Sequence, residues 1–92
     1  MVHSFRHKGL KRLFEEDDAR GLHVEHADKI RRILARLDAA KDIADMDLPG
    51  YRLHSLKGDL QGFYSVTVRA NCRIVFQFAQ GEALHVDYID YH

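Results

Sequence analysis

Apolar and polar positions alternate with a period of two across Gly62 to Phe78, and the remaining pattern is arranged around that stretch. In the first run Tyr64, Val66 and Val68 alternate with Phe63, Ser65, Thr67 and Arg69; in the second, Cys72, Ile74, Phe76 and Phe78 alternate with Arg73, Val75 and Gln77. Successive side chains of a strand point to opposite faces, so each run has one apolar and one mixed face. The polar break Arg69-Ala70-Asn71 between the runs predicts a β-hairpin. Its apolar face needs helices to cover it. Its mixed face carries Arg69 and Arg73 and is the expected working surface.

Helical spacing appears upstream. Leu10, Leu13 and Phe14 predict a helix over His7–Glu16, with Arg6, Lys8, Lys11 and Arg12 on a basic side. The acids Glu15 to Asp18 fall at its C-terminal end, where the helix dipole disfavours them, so the helix is expected to stop there. Ala27, Ile30, Ile33, Leu34 and Leu37 form the stripe of a longer helix from about Glu25 to Ala40. Ile43 and Met46 anchor a further turn, and Leu48-Pro49-Gly50 redirects the chain into strands. Strands are expected at Val2–Phe5, Tyr51–Ser55, the two hairpin runs and Ala83 to about Ile89, with Lys57-Gly58-Asp59 as a loop. The order is β-α-α-β-β-β-β, an α+β fold with two N-terminal helices packed on one face of a mainly antiparallel sheet, forming a single domain over residues 1–92.

Composition narrows the classes. A chain of 92 residues supports one modest core. No apolar run approaches the roughly 18 residues of a membrane span, and Met1 to Arg6 leads into charge without the apolar stretch of a secretory signal. The single cysteine makes a reducing, cytoplasmic location the expectation, with no membrane partner. Lys plus Arg number 14, as do Asp plus Glu, so the chain as a whole writes in no non-specific grip on nucleic acid. Placement says more. After Leu48 the acids are Asp59, Glu82, Asp87 and Asp90, while Arg52, Lys57, Arg69 and Arg73 lie on or between predicted strands.

Three clusters could carry chemistry. His54, one residue off the Leu53 face, points with Arg52 toward the mixed face, and Lys57 follows in the adjacent loop; a solvated basic edge that protects the sheet is the plainer explanation. Arg69 and Arg73 flank the hairpin turn, and a shared anion such as phosphate would offset their repulsion; two arginines diverging into water is the alternative. The chain ends in Asp90-Tyr91-His92, an acid, a phenol and an imidazole directly after an apolar strand, where a polar tail is the ordinary explanation. Strict alternation puts Asp90 and His92 on the apolar side with Tyr88, so reaching the mixed face requires a twist, a bulge or a strand end near Ile89. Together these groups suit RNA cleavage without a metal: the ribose 2′-hydroxyl attacks its own phosphate while two groups move protons and cations hold the phosphorane. His54 and His92 are the candidate proton-transfer pair, Lys57, Arg69 and Arg73 the charge stabilisers, and Tyr91 a base-stacking group or proton donor. Arg52 joins the candidate RNA-phosphate contacts. His23-Val-Glu-His26 has metal-like spacing, but a surface helix start accounts for it and no metal or cofactor is expected. Cys72 reads as a small core residue rather than a nucleophile.

Ser4–Glu15, Tyr51–Asp59, Gly62–Phe78 and Tyr88–His92 resemble, with spacing preserved along essentially the whole chain, the HigB-type toxins of the RelE/ParE superfamily. The resemblance implies a RelE-like fold and a ribosome-dependent endoribonuclease that cuts mRNA in the ribosomal A site and stops translation. Its matching active positions are His54, Lys57, Arg73, Asp90, Tyr91 and His92; Arg69 comes from the residues alone. It implies the 70S ribosome and mRNA as partners, with a HigA-like helix-turn-helix antitoxin whose complex represses the shared operon. Cys72 stands where relatives often carry an aromatic residue. A ParE-like non-catalytic inhibitor of DNA gyrase is the alternative, disfavoured by the His54, Lys57, Tyr91 and His92 set. Neutral charge fits a nuclease whose substrate the ribosome positions. The nuclease assignment expects the terminal tripeptide beside the 54–57 loop, in one pocket with Arg73.

Overall fold

The computed structural model describes residues 1–90. Helix α1, Lys8–Glu16, begins at His7, whose Nδ1 accepts from the Leu10 N–H at 3.3 Å. Gly9 leaves this first turn room: a Cβ there would meet the His7 ring at 2.9 Å and the Gly21 carbonyl oxygen at 3.2 Å, and one or both would have to shift. The helix stops at the acidic cluster. Asp17 turns left-handed at φ 53°, and its N–H donates back to Leu13. The displaced carboxylates find cations, Asp17 meeting Arg31 at 2.8 Å and Asp18 meeting Arg20 at 2.7 Å. Arg20 holds the Asp18 carboxyl down at about 2, through its side chain and its backbone N–H. Helix α2, Ala27–Ala39, buries all five residues of the expected stripe, and a short 3₁₀ turn, Ile43–Met46, buries Met46.

Four antiparallel strands follow in the spatial order of the chain: β1 (His54–Ser55), β2 (Tyr64–Arg69), β3 (Cys72–Ala79) and β4 (Glu82–Asp90). The fold is α+β, helices on one sheet face. The core joins Leu10, Leu13 and the α2 stripe to Val66, Val68, Ile74, Phe76, Ala83 and Val86, the apolar face of the strands. Phe76 is completely buried there and packs its ring near that of Tyr64.

Two β-bulges depart from simple alternation. In β2 the ladder pairs Thr67 with Arg73 and then Arg69 with Cys72, leaving Val68 as the extra residue. In β4 the pairing steps from Val75–Asp87 to Gln77–Leu84, and His85 takes φ 54°. This second bulge binds the N-terminal segment. The His85 N–H donates to Ser4 Oγ at 2.9 Å, the Val86 N–H to the Ser4 carbonyl at 3.0 Å, and the Arg6 N–H to the Val86 carbonyl at 2.8 Å. The expected strand at Val2–Phe5 is therefore corrected to two isolated parallel bridges, Val2–Ala83 and Phe5–Val86, because it meets an irregular edge. The expected strand at Tyr51–Ser55 shrinks to His54–Ser55, because Arg52 adopts φ 50° and breaks the extended chain. Lys57-Gly58-Asp59 is not an open loop but leads a 3₁₀ turn, Gly58–Leu60. Among the described residues no helix is long and apolar enough to cross a membrane.

Phe76→Ala should leave an internal void and lower stability by about 3–5 kcal/mol. Urea unfolding followed by far-UV circular dichroism would show this as a lower midpoint with an unchanged slope.

Candidate active site

The helix-free face of the sheet is set by register. Ser65 pairs with His54 on one side and Val75 on the other, and Arg73 pairs with Thr67 and Ile89. His54, Ser65, Thr67, Arg73 and Val75 therefore share the face turned away from α1 and α2. Val75 is buried although it stands outside the main apolar cluster, which gives this face a firm floor. Nearby the Arg6 guanidinium lies over the Phe63 ring at 5.1 Å from its centroid.

On this floor opens a cleft of about 390 Å³ lined by Arg52, His54, Leu56, Ser65 and Arg73. Two guanidiniums and an imidazole meet there, and among the described residues no carboxylate lines the cleft. Arg73 is oriented by the strand beside it, its Nη1 donating to Thr67 Oγ1 at 3.1 Å. Arg52 arrives by a different route. Its left-handed backbone lets the Tyr51 carbonyl accept from the Thr67 N–H at 2.7 Å while the side chain enters the cleft. Such a conformation is unfavourable for a residue with a Cβ and marks the position as constrained. Ser65 lies at the bottom, 1% exposed, and its Oγ has no hydrogen-bond partner among the described residues.

The structure thus brings together three of the expected site residues, Arg52, His54 and Arg73. Lys57 is exposed at the start of the 3₁₀ turn, one residue beyond the lining Leu56, and does not itself line the cleft. Arg69 is not beside Arg73. The Val68 bulge advances it to face Cys72, and its Nη1 sits 3.6 Å from Glu25 Oε2 ahead of α2. Both groups of that pair are exposed, so it contributes little stability. Its expected place as the partner of Arg73 across the hairpin is therefore corrected: Thr67 occupies that position.

Asp90 also lies apart from the cleft. β4 runs regularly past Ile89, so Asp90 pairs with Cys72 and turns to the opposite face from Arg73. It lines a second cavity of about 220 Å³ together with His7, Leu22, His23, His26, Cys72 and Tyr88. There His26 Nδ1 meets the Tyr88 hydroxyl at 2.8 Å, and the rings of His23 and His26 stack with centroids 4.8 Å apart. Burial pushes the Tyr88 phenol well above its ordinary value, and the Cys72 thiol and the Asp90 carboxylate add to the rise. No group of three or more His, Cys, Asp or Glu side chains suited to a metal exists among the described residues. Tyr91 and His92 lie outside the described residues, and with them the expected meeting of the terminal tripeptide with the 54–57 loop.

Ser65 is the cleft residue that residue-type reasoning passes over. The signal was present, since its parity puts it on the face of His54 and Arg73; nothing in the alternation says that its hydroxyl goes unmatched.

Comparison with known proteins gives a consistent family. HigB-like toxins, RelE-like toxins of type II toxin–antitoxin system HigB, match residues 3–92. The chain is similar to "Endoribonuclease HigB" of Proteus vulgaris, 47% identical over 92 residues and covering all of both chains. It is also similar to "Toxin HigB-1" of Vibrio cholerae serotype O1 (strain ATCC 39315 / El Tor Inaba N16961), 35% identical over 96 residues, covering 100% of this chain and 98% of that one. Among solved structures, a chain of the YoeB–YefM complex from Staphylococcus aureus aligns with TM-score 0.58 at 16% identity, covering 100% of this chain and 98% of that one, which is a likeness of fold.

Replacing Arg52 by glycine should relieve its left-handed backbone. Arg52→Gly is expected to raise stability by about 1 kcal/mol in urea unfolding, since the penalty comes from the Cβ, and to remove one of the two guanidiniums of the cleft.

Proposed function

The chain belongs to the HigB-like family of RelE-like toxins of type II toxin–antitoxin systems, and from that premise we propose that it is a metal-independent endoribonuclease that cuts mRNA in the ribosomal A site. The observation that carries the chemistry is the His54 imidazole standing with Arg52 and Arg73 in one open cleft. Cleavage without a metal needs a base for the 2′-hydroxyl, an acid for the leaving 5′-oxygen, and cations around the phosphorane. His54 takes the 2′-hydroxyl proton as the oxygen attacks phosphorus. Arg73 and Arg52 neutralise the charge that builds on the non-bridging oxygens. Arg73 suits that role because its contact with Thr67 restricts the guanidinium before substrate arrives.

The remaining positions come from the resemblance, and their roles are assigned as part of the proposal. His92 is assigned to protonate the leaving 5′-oxygen, Tyr91 to stack on or orient a base, and Lys57 to meet the phosphate chain at the cleft mouth. Asp90 is assigned an orienting role through its chain neighbours, because its own side chain faces the second cavity. Arg69 is given no role in cleavage.

The charge balance and the small site support ribosome dependence. With 14 cationic and 14 anionic side chains the protein has no long-range grip on free RNA, so the 70S ribosome would supply both local concentration and alignment of the mRNA. The protein acts in the cytoplasm, where ribosomes translate. Its antitoxin partner is proposed to be a HigA-like helix-turn-helix protein.

The test is purified protein with programmed ribosomes and a defined mRNA, with 5′ ends mapped by primer extension. Cuts should fall within the A-site codon, and the same mRNA without ribosomes should stay intact over the same interval. His54→Ala should slow cleavage by about 100-fold or more, in the range for loss of a proton-transfer group, whereas Arg69→Ala should cut at close to the wild-type rate. Intact mRNA on ribosomes together with gyrase-linked DNA breaks would identify a ParE-like inhibitor instead.

A further inference from the structure

The geometry points to Ser65 as a phosphate-binding residue of the cleft, its hydroxyl donating to a non-bridging oxygen of the RNA backbone; this deepens the nuclease assignment and rests on it for the identity of the substrate. Ser65 Oγ is the one buried side-chain polar atom without a hydrogen-bond partner among the described residues. Buried polar groups are nearly always matched, and an unmatched one calls for a specific explanation. Packing does not supply it. Ser65 lies between His54 and Val75 in the ladder, with Val66 buried next to it, and a small apolar side chain in its place would carry no desolvation cost.

Position supplies the explanation. Ser65 lines the cleft that also holds Arg52, His54 and Arg73. The two guanidiniums select an anion, and a tetrahedral phosphate presents several oxygens to share among donors. A serine hydroxyl adds a short, uncharged donor at the floor, beside the two charged ones. The atom is closed to solvent in the absence of substrate, so a small displacement of the overlying side chains accompanies binding. The same donor would remain in contact as negative charge grows on those oxygens during attack, so its loss lowers the cleavage rate as well as the affinity.

The experiment titrates wild-type protein and Ser65→Ala with inorganic phosphate and with the dinucleotide ApA, followed by NMR at His54 and Arg73, beside thermal unfolding and ribosomal cleavage assays. Both ligands should perturb His54 and Arg73 in the wild type, with ApA binding more tightly if the site reads a nucleotide phosphodiester rather than any phosphate. Ser65→Ala should weaken both about tenfold and slow cleavage at least tenfold, the usual scale for a hydrogen bond to a charged group, with thermal stability equal or higher. Ser65→Cys, which keeps the volume but donates weakly, should also lose affinity and guards against a folding defect in the alanine variant. Wild-type affinities in Ser65→Ala or Ser65→Cys, or no perturbation of His54 and Arg73 by either ligand in the wild type, would overturn the assignment. A wild-type protein that leaves mRNA uncut, yet whose phosphate affinity depends on Ser65, would sink the nuclease assignment and leave the anion site standing. A protein that cuts mRNA equally well with and without the hydroxyl would do the reverse.

Discussion

The division of one hairpin into two chemically distinct faces is the constraint on which the structure depends. Ile74 and Phe76 must lie against α2, and once they do, Arg73 and Val75 have no choice but to face away. Apolar burial therefore aims the Arg73 guanidinium. The helices pack on the other face of the sheet, yet they determine where the guanidinium of Arg73 points, because slipping the strand by one position would submerge it in the core. Stability and placement of charge are one problem here.

Much of this was readable from residue order. The stripe Ala27, Ile30, Ile33, Leu34 and Leu37 is buried to the last residue, since helical spacing in a chain this short leaves only one surface to pack against. The alternation in the hairpin located His54 and Arg73 on a common face, because the ladder enforces a strict period between Ser65 and Arg73. What escaped were departures from that period. Arg69 was expected beside Arg73, but a bulge depends on how two strands fit together and leaves no mark in the composition of either. Arg52 was expected in a regular strand, yet a left-handed arginine violates the local preference that strand expectation uses. The segment Val2–Phe5 has strand-like residues and fails to make a strand because its neighbour is irregular at His85. For Asp90, plain alternation gave the right face and the chemistry suggested the other; the register with Cys72 follows the alternation.

The site concentrates positive charge within a chain of zero formal charge. Elsewhere cations are spent on acids: Arg31 on Asp17 and Asp28, Arg20 on Asp18, Arg69 on Glu25. In the cleft Arg73 also donates to a neutral threonine hydroxyl, which helps to orient the guanidinium. A carboxylate in the same place would fix the side chain more strongly and blunt its attraction for phosphate. The family match extends over residues 3–92, so this arrangement sits in a chain related to known toxins along nearly its whole length.

The Val68 bulge has a consequence for how this chain can change over time. Because the surplus residue, Val68, is itself buried in the core, deleting it would restore an unbroken ladder with Arg69 still opposite Cys72, and would take a valine out of the packing against the helices. Hairpin length and core volume are thus tied together. A lineage that shortened this ribbon would keep its two arginines on opposite faces, and could hold the shorter form only by refilling the space that Val68 leaves.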